Sequence, residues 1–197
     1  DLMNQLKRRR LWGQALADEW GRESADLPHV DVRDILRLLM QDSVWYWQPV
    51  INGMLPDLAE HVGFAKFLTE IADGEYVSPL WEGLTMTGRT HPEESKNEVN
   101  GLLKQKLNSV SDIVAALIVG VSATDQEWAV NMITELLQSQ EPTDSRVAYA
   151  AIRRWPRTDP KRPVLAQLVL EAKLPGDACV QEAYSLCLQA IHDAFPL

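Results

Sequence analysis

The chain has little of what usually announces chemistry. It has two cysteines, four histidines and ten glycines in 197 residues, and none of them forms a recognised catalytic or metal-binding signature. Cys179 and Cys187 lie eight residues apart on one predicted helix. At a rise of 1.5 Å per residue their Cα atoms stand about 12 Å apart, too far for a disulfide. Both read as small core residues of a protein kept reduced, in a cytoplasmic type of compartment. His29, His61, His91 and His192 are scattered, with no pair at the i, i+4 spacing of a helical metal site. His91 beside Glu93 and Glu94 is a group that chance supplies easily, so no metal is expected. There is no Gly-x-Ser-x-Gly elbow and no glycine-rich phosphate loop. Thr85 to Thr90 resembles a phosphate loop in composition alone and reads as a flexible connector. Carboxylates are plentiful, but nothing marks two of them as an acid and base pair. No catalytic residue and no cofactor is assigned from these patterns, and an enzyme is the less favoured class.

Long apolar runs are missing too. The longest, Ile113 to Val121, is about half of what a membrane span requires. The basic residues Lys7 to Arg10 are followed by Gln14, Asp18 and Glu19, which is not the pattern of a signal peptide. A start at Asp1 is expected of a processed chain or of a piece of a longer one.

Strand-type alternation is also absent, and the segments that show a period show the helical one. The fold class expected is all-α. Helices are predicted over 2–20, 32–47, 54–62 and 64–72, with Gly63 dividing the last two and Pro49 ending the second. Residues 74–92 read as the longest irregular stretch, holding at most one helical turn at 79–84. A helix follows over 93–107, then an apolar one over 113–121. Thr124 with Glu127 three residues on reads as a capping box opening a helix to about Ser139. Thr143 or Asp144 caps a helix ending at Arg154. Thr158 to Pro160 opens another, from Val164 to about Lys173, and the last covers 177–195. The organisation expected is an N-terminal helical region over 1–92 and a helical-hairpin array over 93–197, packed as one continuous unit.

The C-terminal half has a cadence. Ser111 and Ser145 are 34 residues apart, as are Thr124 and Thr158, and Ile113/Ala116, Val147/Ala150 and Val180/Ala183 fall in matching slots. Over about residues 109–195 this resembles the stacked hairpins of HEAT, armadillo and tetratricopeptide α-solenoids, without the signature of any one family. The competing architecture is an irregular helical bundle. What the resemblance implies is a concave surface that binds another protein.

Charge is the other signal. The formal net charge is −9 and the pI about 4.9, which argues against an extended nucleic-acid surface. Lys7 to Arg10, together with Arg153, Arg154, Arg157, Lys161 and Arg162, hold nine of the 19 basic residues. Only one of the 28 acidic residues, Asp159, lies within those runs. The rest of the chain, with ten cations against 27 carboxylates, is net −17. The second run is a proline-stiffened turn between two helices, with Trp155 among its cations.

Arg153, Arg154, Trp155, Arg157, Lys161 and Arg162 are therefore the candidate contacts for an anionic partner, with Trp155 offered for stacking. The plainer alternative is that these cations satisfy a helix C-terminus and pair with the protein's own carboxylates. Trp81, Arg89 and His91 are secondary candidates. Trp45, Tyr46 and Trp47 read as packing residues. The function expected is a non-enzymatic scaffolding or adaptor module for another protein, through an acidic or phosphorylated segment. The alternatives are a regulatory or sensor domain of a larger enzyme or NTPase, and a helical enzyme acting on a phosphorylated small molecule near Arg89 and His91.

Overall fold

The computed structural model describes residues 52–53, 55–60, 63–72, 80–105, 108–139, 141–172 and 176–194. The expected helices over 2–20 and 32–47, the Lys7 to Arg10 run and the Trp45 to Trp47 cluster lie outside the described residues. Eight helices are delimited: α1 Phe64–Ala72, α2 Trp81–Thr90, α3 Pro92–Leu103, α4 Asn108–Val121, α5 Gln126–Gln138, α6 Pro142–Arg154, α7 Arg162–Glu171 and α8 Ala178–Ala194. Residues 55–60 are helical as well, and no strand occurs among the described residues. The fold is all-α.

The chain divides into two compact units, Asp1–Thr87 and Gly88–Leu197. In the first, Gly63 adopts φ +92°, a left-handed conformation that glycine takes without a Cβ penalty. Its N–H bonds to Ala59 O at 3.1 Å and closes the segment over 55–60. Phe67, Leu68, Ile71 and Ala72 form the buried stripe of α1, at the i, i+1, i+4, i+5 spacing of one helical face.

Residues 81–90, expected to be largely irregular, are helix α2. The residues that suggested a connector are satisfied inside it. Thr85 and Thr87 donate their hydroxyls to Trp81 O and Gly83 O, one turn back, at 2.9 and 2.8 Å.

In the second unit α4 is the most enclosed helix. Every residue from Ile113 to Ser122 is buried, as the length of its apolar run requires. Helices α3 and α6 pack against α4, and α8 packs against α6; α5 lies on α4 and α6, and α7 touches α5, α6 and α8. Alternate helices α4, α6 and α8 thus form one succession of contacts. Of the slots at the 34- and 33-residue spacing, Ile113, Ala116, Val147 and Val180 are 0% exposed, whereas Ala150 and Ala183 are half-buried, so the match holds for the first residue of each pair and not for the second throughout.

Helix starts depart from the sequence reading by a few residues, with a physical reason each time. The N-cap of α5 is Asp125, whose carboxylate accepts from Trp128 N at 3.1 Å. Thr124 instead donates to Val121 O and closes the end of α4. The N-cap of α6 is Glu141 rather than Thr143 or Asp144, so that helix begins at Pro142, and α7 begins at Arg162 with a proline in its first turn. Proline is favoured there because its missing N–H would have no helical acceptor.

Gly88, the first residue of the second unit, is set against the α4 backbone. A Cβ on it would meet Leu117 O at 2.6 Å and Leu117 Cα at 3.0 Å. These are backbone atoms and cannot rotate away. Gly88→Ala gains about 1 kcal/mol of helix propensity but forces overpacking worth about 1–3 kcal/mol, so a net loss is expected in urea denaturation. A raised midpoint, the propensity gain unopposed, would show that the two backbones are not in contact.

Candidate functional site

The basic turn between α6 and α7 is built from two helix ends. Arg153 and Arg154 close the last turn of α6, where the carbonyl end of the helix favours cations. Trp155 is its C-cap and donates its backbone N–H to Ile152 O at 3.2 Å. The chain then turns through Pro156 to Lys161 and re-enters helix at Arg162.

Two of the six expected partner contacts are interior. Trp155 is 1% exposed and Arg162 is 2% exposed, the largest fully buried side chains among the described residues. The ring expected to stack on a partner is therefore enclosed. The guanidinium of Arg162 donates through Nη1 to Trp155 O and through Nη2 to Ala190 O, the latter at 3.3 Å. One side chain thus ties the end of α6 and the last turns of α8 to the start of α7. No carboxylate pairs with it among the described residues. Burial and the neighbouring Arg157 push its pKa below the ordinary arginine range, and Cys187 opposes them.

This inward turn was legible in the sequence. Arg162, Leu165, Ala166 and Val169 follow the i, i+3, i+4, i+7 spacing of one helical face, and all four are buried. The interior they enter includes Cys187, buried with its thiol pushed up to about 12 by burial, against the pull of Arg162 and Arg153. Tyr149 of α6 and Tyr184 of α8 meet edge to face nearby in sequence terms, ring centroids 5.4 Å apart.

Cys179, in contrast, is exposed, so only one of the two cysteines is the core residue expected. A thiol reagent is expected to label one cysteine of the native chain and the second only after denaturation, read by intact mass. Prompt double labelling would place Cys187 at the surface.

The outer side of the turn belongs to the other cations. Arg154, Arg157 and Lys161 are exposed and Arg153 is half-buried. Asp159 makes no ion pair with them among the described residues. Its carboxylate accepts both contacts from Gln126 Nε2, at 3.0 and 2.9 Å, and the backbone N–H of Lys161 at 2.8 Å. The turn is thereby fastened to the start of α5 as well. Among the described residues no ion pair reaches Arg157 or Lys161.

The secondary candidates separate. Trp81 is buried at 8% exposure, within the first unit. Arg89 is exposed in the last turn of α2, and His91 is half-buried at the N-cap of α3, with no side-chain cap bond. No group of three potential metal ligands occurs among the described residues, and none of their helices is long and apolar enough to cross a membrane.

Sequence reasoning missed two features. Lys96 links α3 to the cap of α5, contacting Asp125 at 2.8 Å and Glu93 at 2.7 Å, with its ammonium 6.0 Å from the Trp128 ring centre. These bonds hold Lys96 above the ordinary lysine range and Asp125 below the ordinary carboxylate range. The second is an open groove of about 450 Å³ lined by Asn100, Leu103, Lys104, Glu141, Thr143 and Asp144, which includes none of the expected site residues. The fold and the turn together define an all-α protein with a charge-segregated connection between two of its helices. No protein-family model matches the chain, and no curated protein or solved structure does either.

Proposed function

We propose that this chain is a non-enzymatic interaction module, a short stack of helical hairpins that holds another protein through an acidic or phosphorylated segment. The observation that carries the reading is the division of the α6–α7 turn. Trp155, Asp159 and Arg162 fasten it to three helices, while Arg157 and Lys161 project outward without an ion-pair partner among the described residues. Two free cations on a rigid mount, in a chain of net charge −9, are a local attractor for an anion on a surface that repels anions elsewhere. The succession of α4, α6 and α8 contacts supports the hairpin-stack architecture, which suits protein binding. The free thiols of Cys179 and Cys187 support a reducing, cytoplasmic setting.

The test is affinity capture from native lysate with the full chain and with an Arg157→Glu/Lys161→Glu variant. Both positions are exposed, so the helical CD signal is expected to be unchanged while the captured protein falls at least about tenfold. Equal capture by the two would remove the turn from the binding surface.

A further inference from the structure

The α6–α7 turn contains a hydroxyl that the fold does not use. Thr69, Thr85, Thr87, Thr124 and Thr134 each donate to a carbonyl three or four residues back. Thr158 lies outside any helix and is exposed, and no hydrogen bond among the described residues reaches its Oγ1.

The backbone around Thr158 makes two successive turns. Asp159 N donates to Pro156 O at 3.1 Å, and Arg162 N donates to Asp159 O at 3.1 Å. Arg157 and Thr158 are thus the two central residues of the first turn, and Pro160 and Lys161 those of the second. Buried Trp155 precedes the pair and Asp159, bonded to Gln126, follows it. The hydroxyl therefore stands on a held apex, with Arg157 immediately before it and Lys161 three residues after. Arg154 and Arg153 precede it by four and five positions.

We propose that Thr158 is a phosphorylation site that closes the turn to its partner: an arginine-directed protein kinase phosphorylates Oγ1, and the new phosphate pairs with Arg157 and Lys161. The inference rests on the interaction-module reading and adds its regulation. In the transfer, the γ-phosphorus of ATP forms a bond to Oγ1 as its bond to the β-phosphate oxygen breaks. ADP leaves, and the hydroxyl proton passes to the kinase's base. Two features favour Thr158. Cations on both sides suit a kinase cleft lined by carboxylates, whereas the net negative charge of the rest of the chain repels one. The charges also balance, since phosphothreonine carries about −1.5 to −2 at neutral pH against the two positive charges of Arg157 and Lys161. A phosphate tethered in the same turn competes with a partner's anion at an effective concentration on the order of millimolar.

The experiment has two arms. In the first, the folded full chain and a Thr158→Val variant are incubated with ATP, magnesium ion and an arginine-directed kinase, and phosphate is located by intact mass and peptide mapping. Phosphate is expected at Thr158 of the wild type and nowhere on Thr158→Val. In the second, phosphothreonine is installed at position 158 during synthesis, with and without Arg157→Ala/Lys161→Ala. Phosphorus NMR is expected to show the second ionisation of the phosphate below its ordinary value of about 6, and back near it in the double variant. The thermal midpoint is expected to be unchanged and capture from lysate at least about tenfold weaker. A folded chain left unphosphorylated at Thr158, or an ordinary ionisation, overturns the inference. If Arg157→Glu/Lys161→Glu weakens capture and phosphorylation does not, the anionic site stands and the switch alone falls. If charge reversal leaves capture intact, the interaction reading falls and the switch with it.

Discussion

Arg162→Ala is expected to destabilise the protein by about 3 kcal/mol or more, measured by urea denaturation. The change removes two guanidinium–carbonyl hydrogen bonds, one to the buried Trp155 O and one to the part-buried Ala190 O of α8. The stranded Trp155 acceptor costs about 1–3 kcal/mol, and the space once filled by a long side chain adds a cavity cost. One gain offsets part of this: a buried cation without a carboxylate partner is expensive, and alanine eliminates it. Methionine separates these contributions, because it keeps most of the volume and removes the charge. Arg162→Met is therefore expected to lose about half as much as Arg162→Ala. Arg162→Lys should rescue poorly, since a compact ammonium cannot present the planar fork that reaches two separate carbonyls. Equal stability of wild type and Arg162→Ala would mean that the side chain is not the tie among α6, α7 and α8.

Trp155→Ala is expected to cost about 3–5 kcal/mol, the range for emptying a buried aromatic site. The indole is 1% exposed, so nearly all of its apolar surface is withdrawn from water. Its Nε1–H has no acceptor among the described residues, so phenylalanine, which lacks that donor, is expected to be tolerated far better. The pair of variants distinguishes two roles. A core tryptophan makes Trp155→Ala a stability variant with a lowered thermal midpoint. A partner-stacking tryptophan would leave the midpoint alone and weaken capture. The burial requires the first outcome.

Much of the C-terminal half was legible because its signals are local. Apolar residues recur at helical spacing from Ile113 onward, and prolines sit where helices start, at Pro142 and Pro163. The misread places are those where a distant group decides. Thr85, Thr87, Gly88 and Thr90 have the composition of a connector, yet they lie in α2. Its threonine hydroxyls are absorbed by carbonyls one turn back, and Gly88 is needed for the approach to Leu117. The capping box failed by one residue, since Asp125 competes for the cap and Thr124 finds the end of the preceding helix.

At the basic turn, composition marked ten residues but not their directions. The phase of α7 sends Arg162 inward and leaves Lys161 outside. Burial of Trp155 is decided by tertiary packing, which no local pattern states.

The central claim is that one turn has an inner set of residues that holds the fold and an outer set that holds a partner. Its most direct test is a paired measurement on Arg157→Glu/Lys161→Glu and Arg162→Met, comparing thermal midpoint and partner capture for each. The account predicts a near-native midpoint with capture reduced at least about tenfold for the first variant. For the second it predicts a lowered midpoint with capture retained at temperatures where the variant is folded. A lowered midpoint with unchanged capture for Arg157→Glu/Lys161→Glu would contradict it.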